Sequence, residues 1–171
     1  MPLIDIGSPE KLDRLPRDAV DFFCVFARFE FALKASGCFS KRKDGSAEAD
    51  WEKYRKRPEI MSLFHSLKKS DKVKYIIKSP PKTQIVLTRD CSPLIDWEQK
   101  NDIPLRNMKG LIRAIKQTRN NLFHGGKTFA GEFIVGSERN HKLIAAATTA
   151  LLTMLNVTED VKEKFYSKDD V

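Results

Sequence analysis

Residues 102–127 read DIPLRNMKGLIRAIKQTRNNLFHGGK, and this stretch decides the fold class. Leu105, Met108, Leu111, Ile112, Ile115 and Leu122 recur at helical spacing, so one face of a helix is apolar. Arg106, Lys109, Arg113, Gln117, Asn120 and His124 fall on the opposite stripe. Asp102 closely followed by Pro104 predicts the start of the helix, and Gly125-Gly126 its stop. Such a helix is stable only with other elements covering its apolar face.

The flanking segments supply that cover. After it, a long helix starts near Ser137, with Leu143, Ile144, Ala147, Leu151, Met154 and Leu155 on its core face. Thr158 then caps a short amphipathic tail containing Val161 and Phe165. Before it, a first long element runs from about Pro9 to Ser36, capped by Ser8, with Pro16 splitting off an opening turn. Its centre, Ala19 to Leu33, is unusually apolar, and Asp21 and Arg28 mark a narrow wet stripe. That helix is therefore central to the core or to a subunit contact. Glu30 lies on the far side from Asp21; its partner is either Lys34, four residues on, or a buried cation met by an inward carboxylate.

Residues 37–47 read as a flexible basic loop, and two short helices follow at about 48–57 and 59–69 with Pro58 between them. Pro80-Pro81 and Pro93 break the stretch 71–99, where Gln84 to Thr88 is a candidate brief strand. The expected fold is all-α: one compact helical bundle over residues 1–171, with irregular connections and room for one very short strand.

Composition limits the function. The chain has 171 residues, 41% apolar and 32% charged, as in soluble globular domains. No apolar run approaches the roughly 18 residues that span a bilayer. The segment Met1-Pro2-Leu3-Ile4-Asp5 lacks the basic start of a signal peptide. Cys24, Cys38 and Cys91 show no paired spacing, which fits free thiols in a cytoplasmic protein. The net charge of +8 is concentrated in residues 40–82 and 103–127, as in a protein that meets a polyanion. Solvated lysine-rich faces, or a surface for an acidic protein, would give the same pattern.

Arg119 carries the chemical argument. It follows Ile112 and Ile115 on the apolar stripe, where a guanidinium is costly to bury unless an anion meets it. Glu30 or an incoming phosphate could be that anion, and an arginine near a helix end can also reach water. Asn120 and His124 share a face, and a histidine titrating near neutrality suits general acid–base work. RNA cleavage needs a base for the ribose 2′-hydroxyl, an acid for the leaving 5′-oxygen and charge stabilisation at phosphorus. His65, His124 and His141 are scattered, without the spacing of a metal site, and no cofactor is implied. One histidine does not easily serve both proton transfers, which points to water or a second subunit in the site.

The string Arg119-Asn120-Asn121-Leu122-Phe123-His124-Gly125-Gly126-Lys127 resembles the R-x4-6-H motif of HEPN domains, including their polar residue directly after the arginine. The helix Phe26 to Lys34 resembles the opening helix of several HEPN families, where an acidic residue sits near the catalytic arginine. The resemblance implies a helical bundle that dimerises across a shared cleft and cleaves RNA without metal, leaving cyclic-phosphate and 5′-hydroxyl ends. His124 would be the acid or base, Arg119 the phosphate binder or the activator of the histidine, Asn120 a positioning group and Glu30 a support. Lys109, Arg113, Lys116 and Lys127 would bind RNA. Such domains serve as toxins or antiviral effectors, which implies a cognate antitoxin or regulatory protein. Gly126 stands where one subgroup carries a modified tyrosine, so that regulation is not expected. The alternative left open is a non-catalytic domain of the same fold that binds RNA or a nucleotide.

Overall fold

The computed structural model describes residues 16–89, 92–98, 105–123, 128–129, 132–133 and 138–167. These form seven helices and three two-stranded antiparallel hairpins. The helices are α1 (Arg17–Ala35), α2 (Trp51–Arg55), α3 (Pro58–Lys69), α4 (Lys74–Lys78), α5 (Met108–Phe123), α6 (Glu138–Asn156) and α7 (Glu159–Tyr166). The strands are β1 (Phe39–Lys41), β2 (Ala47–Ala49), β3 (Thr83–Arg89), β4 (Ser92–Glu98), β5 (Thr128–Phe129) and β6 (Glu132–Phe133). The mainly helical class follows the expectation from the apolar stripes.

Helix α1 packs on α6 and α7, and buries Phe22, Phe26, Phe29 and Leu33 in one continuous core. The predicted face of α6 is buried in full, from Leu143 to Leu155. On α5, Met108, Leu111, Ile112, Ile115 and Leu122 are buried, and Leu105, just before the helix, is half-buried. Phe29 is the centre of the aromatic packing: it is 0% exposed, stacks on Trp51 at 5.3 Å and meets Tyr54 edge-on at 5.6 Å. Phe29→Ala should therefore cost about 3–5 kcal/mol in urea denaturation, because the vacated space is walled by other buried rings. A loss below about 1 kcal/mol would show that the core can close over the gap.

The termini of the helices depart from several expectations. The proposed cap at Ser8 and the start at Pro9 lie outside the described residues; α1 begins after Pro16. Asp102 and Pro104 also lie outside them, and Asn107 is the residue that caps α5, its Oδ1 accepting from the Gly110 amide at 2.9 Å. The two short helices expected near 48–57 and 59–69 are α2 and α3, with Pro58 as the first residue of α3, where its missing N–H costs nothing. Thr158 is the N-cap residue of α7 as expected, but its side chain makes no capping bond there; its hydroxyl donates back to the Met154 carbonyl at 3.0 Å. The same hydroxyl lies 3.2 Å from the buried Tyr54 hydroxyl.

Arg28 is less exposed than a wet stripe implies. Its Nε donates to the Phe165 carbonyl at 2.8 Å and its Nη2 to that of Ser167. It thus satisfies carbonyls at the α7 C-terminus, where cationic donors are favoured. Asp21 is exposed and pairs with Arg17 at 3.0 Å.

The strand content exceeds the single short strand expected. β3 and β4 pair from Thr83↔Glu98 to Arg89↔Ser92. Asn121 Nδ2 ties the base of this hairpin to α5 by donating to the Lys82 carbonyl at 2.9 Å. Residues 37–47 are also not an irregular loop, since β1 and β2 pair with Ser40 opposite Glu48. Their turn is set by Asp44, whose Oδ1 accepts from the Ser46 amide at 3.0 Å, and by Gly45 at φ +88°. Cys24 and Cys38 are free thiols, and Cys91 lies outside the described residues. Among the described residues no helix is long and apolar enough to cross a membrane.

Candidate active site

The β1–β2 hairpin, the start of α2, the C-terminal half of α1 and the outer face of α5 enclose a cleft of about 680 Å³. Six of the eight side chains singled out from sequence line it: Glu30, Lys109, Arg113, Lys116, Arg119 and Asn120. His124 and Lys127 lie outside the described residues. His124 is the next residue after Phe123, the last of α5.

Helical geometry explains the convergence. Lys109, Arg113, Lys116 and Asn120 are three or four residues apart, so they share one face of α5. Lys109 and Arg113 are exposed, whereas Lys116 and Asn120 are half-buried toward the floor. Arg119 leaves that face for the apolar side, and its guanidinium carbon lies 5.0 Å from the Phe26 ring centroid. The ring face stabilises the cation but does not take a hydrogen bond from Nε. Arg119 Nε is buried and has no hydrogen-bond partner.

Glu30 does not supply the missing acceptor. Its Oε1 accepts from Trp51 Nε1 at 3.0 Å. No ion pair within 4.0 Å joins Glu30 to Arg119, and none joins it to Lys34, so neither partner considered from sequence is taken. Trp51 is 5% exposed and fixed by stacking on Phe29 and, at 5.7 Å, on Phe26. Phe26 therefore bears Trp51 and Arg119 together, and a shared aromatic floor positions the anion and the cation while leaving them apart. Trp51 and Tyr54 are both buried in the core. Tyr75 is half-buried, with the Lys142 ammonium 5.7 Å from its ring centroid.

Sequence reasoning missed two parts of this site. Trp51 is an ordinary core aromatic by pattern, and its bond to Glu30 joins residues 21 apart through the fold. The hairpin wall, with Ser40, Arg42 and Glu48, was hidden in a stretch whose charge suggests a solvated loop. Among the described residues no group of three His, Cys, Asp or Glu side chains could hold a metal ion.

The arrangement can receive an anionic group at its floor. Lys109, Arg113 and Lys116 attract it, and the Arg119 N–H is a donor waiting for an acceptor. No protein-family model matches the chain, and no curated protein or solved structure matches it.

Proposed function

We propose that the chain is a HEPN-type, metal-independent endoribonuclease whose active site is the cleft between α5 and the β1–β2 hairpin. The observation that carries this reading is the buried, unpartnered Nε of Arg119 in a cleft whose α5 wall is basic. Leaving such a donor unsatisfied costs about 1–3 kcal/mol, a cost removed when a phosphate oxygen accepts from it.

In this reading the RNA backbone lies along Lys109, Arg113 and Lys116, and Arg119 holds the scissile phosphate. A base, His124 or a water it activates, removes the 2′-hydroxyl proton. The 2′-oxygen then attacks phosphorus and the 5′-oxygen leaves as it gains a proton, giving a 2′,3′-cyclic phosphate and a 5′-hydroxyl end. Arg119 offsets the charge that builds on the non-bridging oxygens, and Asn120 orients the phosphate beside it. Glu30, held by Trp51, raises no direct barrier because it does not occupy the arginine. A homodimer would bring a second His124 as the acid for the same step. The protein acts in the cytoplasm, and a cognate antitoxin or regulatory protein restrains it as a toxin or defence effector.

The test of the cleft is electrostatic. A triple variant, Lys109→Ala with Arg113→Ala and Lys116→Ala, should bind single-stranded RNA with a salt slope shallower by about 2, since each phosphate contact contributes about 0.7. An unchanged slope would mean that RNA, if bound, lies elsewhere.

A further inference from the structure

A cleft of about 680 Å³ encloses one compact ligand, so an RNA chain of any length must leave it over a rim. The polar stripe of α5 that lines the cleft ends at Asn120. The residues on either side of Asn120 in sequence stand about 100° from it round the helix, in opposite directions. Arg119 turns toward Phe26 and the bank built by α1 and α2. Asn121 turns the other way. Its Oδ1 accepts from Nε2 of Gln117, itself a lining residue, at 2.6 Å, and its Nδ2 donates to the Lys82 carbonyl at 2.9 Å. Lys82 therefore lies beside α5 on the flank away from α1 and α2, next to the edge of the cleft.

The segment that leads to Lys82 is basic and held in place. Residues 68–82 carry six lysines and one acid, Asp71. From the end of α4 to the start of β3 the chain reads Lys78-Ser79-Pro80-Pro81-Lys82. Carbonyls along it are tied to the body of the fold. That of Ile77 accepts from the Leu105 amide at 2.9 Å, that of Pro80 from Arg139 Nη2 at 2.9 Å, and that of Lys82 from Asn121. The two prolines lock φ, so the stretch has little freedom left to lose when a ligand meets it. Lys78 and Lys82 are exposed, and among the described residues neither ammonium takes part in an ion pair. Lys74 and Lys142, by contrast, are paired with Asp71 and Glu138.

We infer that Lys78 and Lys82 form a second phosphate-binding bank, which grips the RNA strand where it leaves the cleft over the edge at Gln117 and Asn121. The inference rests on the RNA reading above. Unpaired ammonium groups suit this task. Each is a point charge on a flexible stem that meets a phosphate from many directions and reads no base. No internal ion pair has to open first, and the anchored backbone keeps both lysines beside α5. The bank adjoins the cleft edge, and this continuity favours one strand that occupies both over a separate acidic protein.

The experiment measures binding of a fluorescent uridine dodecamer by anisotropy over a range of salt concentrations, in the His124→Ala protein to prevent cleavage. Adding Lys78→Ala with Lys82→Ala should make the salt slope shallower by about 1.4, from two phosphate contacts at about 0.7 each. Adding Lys162→Ala with Lys164→Ala on α7 instead removes the same charge and should leave the slope unchanged. An unchanged circular dichroism spectrum checks the fold of each protein. An unchanged slope with Lys78→Ala and Lys82→Ala overturns the inference and leaves the RNA reading standing. An equal fall with both pairs also overturns it, because net charge alone would then set the binding. Failure of the dodecamer to bind removes the RNA reading, and this inference with it.

Discussion

Arg119→Ala is expected to lower RNA cleavage by about 10²–10³-fold, the loss seen when one preorganised donor to a developing oxyanion is removed. The size of the effect follows from where the guanidinium sits. It rests on the Phe26 ring, its Nε is buried and unpartnered, and Glu30, which accepts from Trp51, forms no ion pair with it. In the proposed reaction the cation would meet the phosphate without first breaking an internal ion pair, and little reorganisation would be needed. Arg119→Lys should rescue little of the loss, because an ammonium lacks the planar fork and cannot stack on Phe26 in the same way. Folding should not explain the result. Removing a buried donor that has no partner relieves a desolvation cost, so the urea midpoint of Arg119→Ala should fall only modestly. Single-turnover cleavage and urea denaturation on the same preparation separate the two effects. A large fall in stability with cleavage per folded molecule unchanged would make Arg119 a core residue only.

The legible parts of the fold are those where local spacing and tertiary burial agree. Leu143 to Leu155 and Met108 to Leu122 repeat at the helical period, and the same residues are the ones that pack together. Strands were harder to read because their stability comes from pairing. β1 and β2 have three residues each, and lysine and arginine in and beside them imitate a solvated loop. Thr83 to Arg89 becomes a strand only because Ser92 to Glu98 returns beside it, and Pro93 in that partner argues against a strand on local grounds. Helix starts were misplaced for a related reason. Asp102 and Asn107 are both competent caps, and only the Asn107 bond to the Gly110 amide decides between them.

The candidate site shows the same division. Lys109, Arg113, Lys116 and Asn120 were readable as one face because helical spacing alone places them. The position of Arg119 against the core was readable from Ile112 and Ile115, both buried. The partner of Glu30 was not, since Trp51 reaches it across a turn of the chain that only the β1–β2 hairpin defines.

His124 carries the second large effect. General acid–base catalysis by a positioned histidine contributes about 10²–10⁴-fold, and the other two histidines stand apart from the cleft lining. His65 is exposed on α3, and His141 Nδ1 lies 2.6 Å from Asp18 Oδ2 on α1. His124→Ala should therefore abolish measurable cleavage while RNA binding through Lys109, Arg113 and Lys116 persists. The most direct test of the account is cleavage of a mixed RNA in excess EDTA by the unaltered protein and by His124→Ala. The account predicts cyclic-phosphate and 5′-hydroxyl products that form despite EDTA and are absent with His124→Ala. Equal cleavage by both proteins, or cleavage that EDTA abolishes, would contradict it.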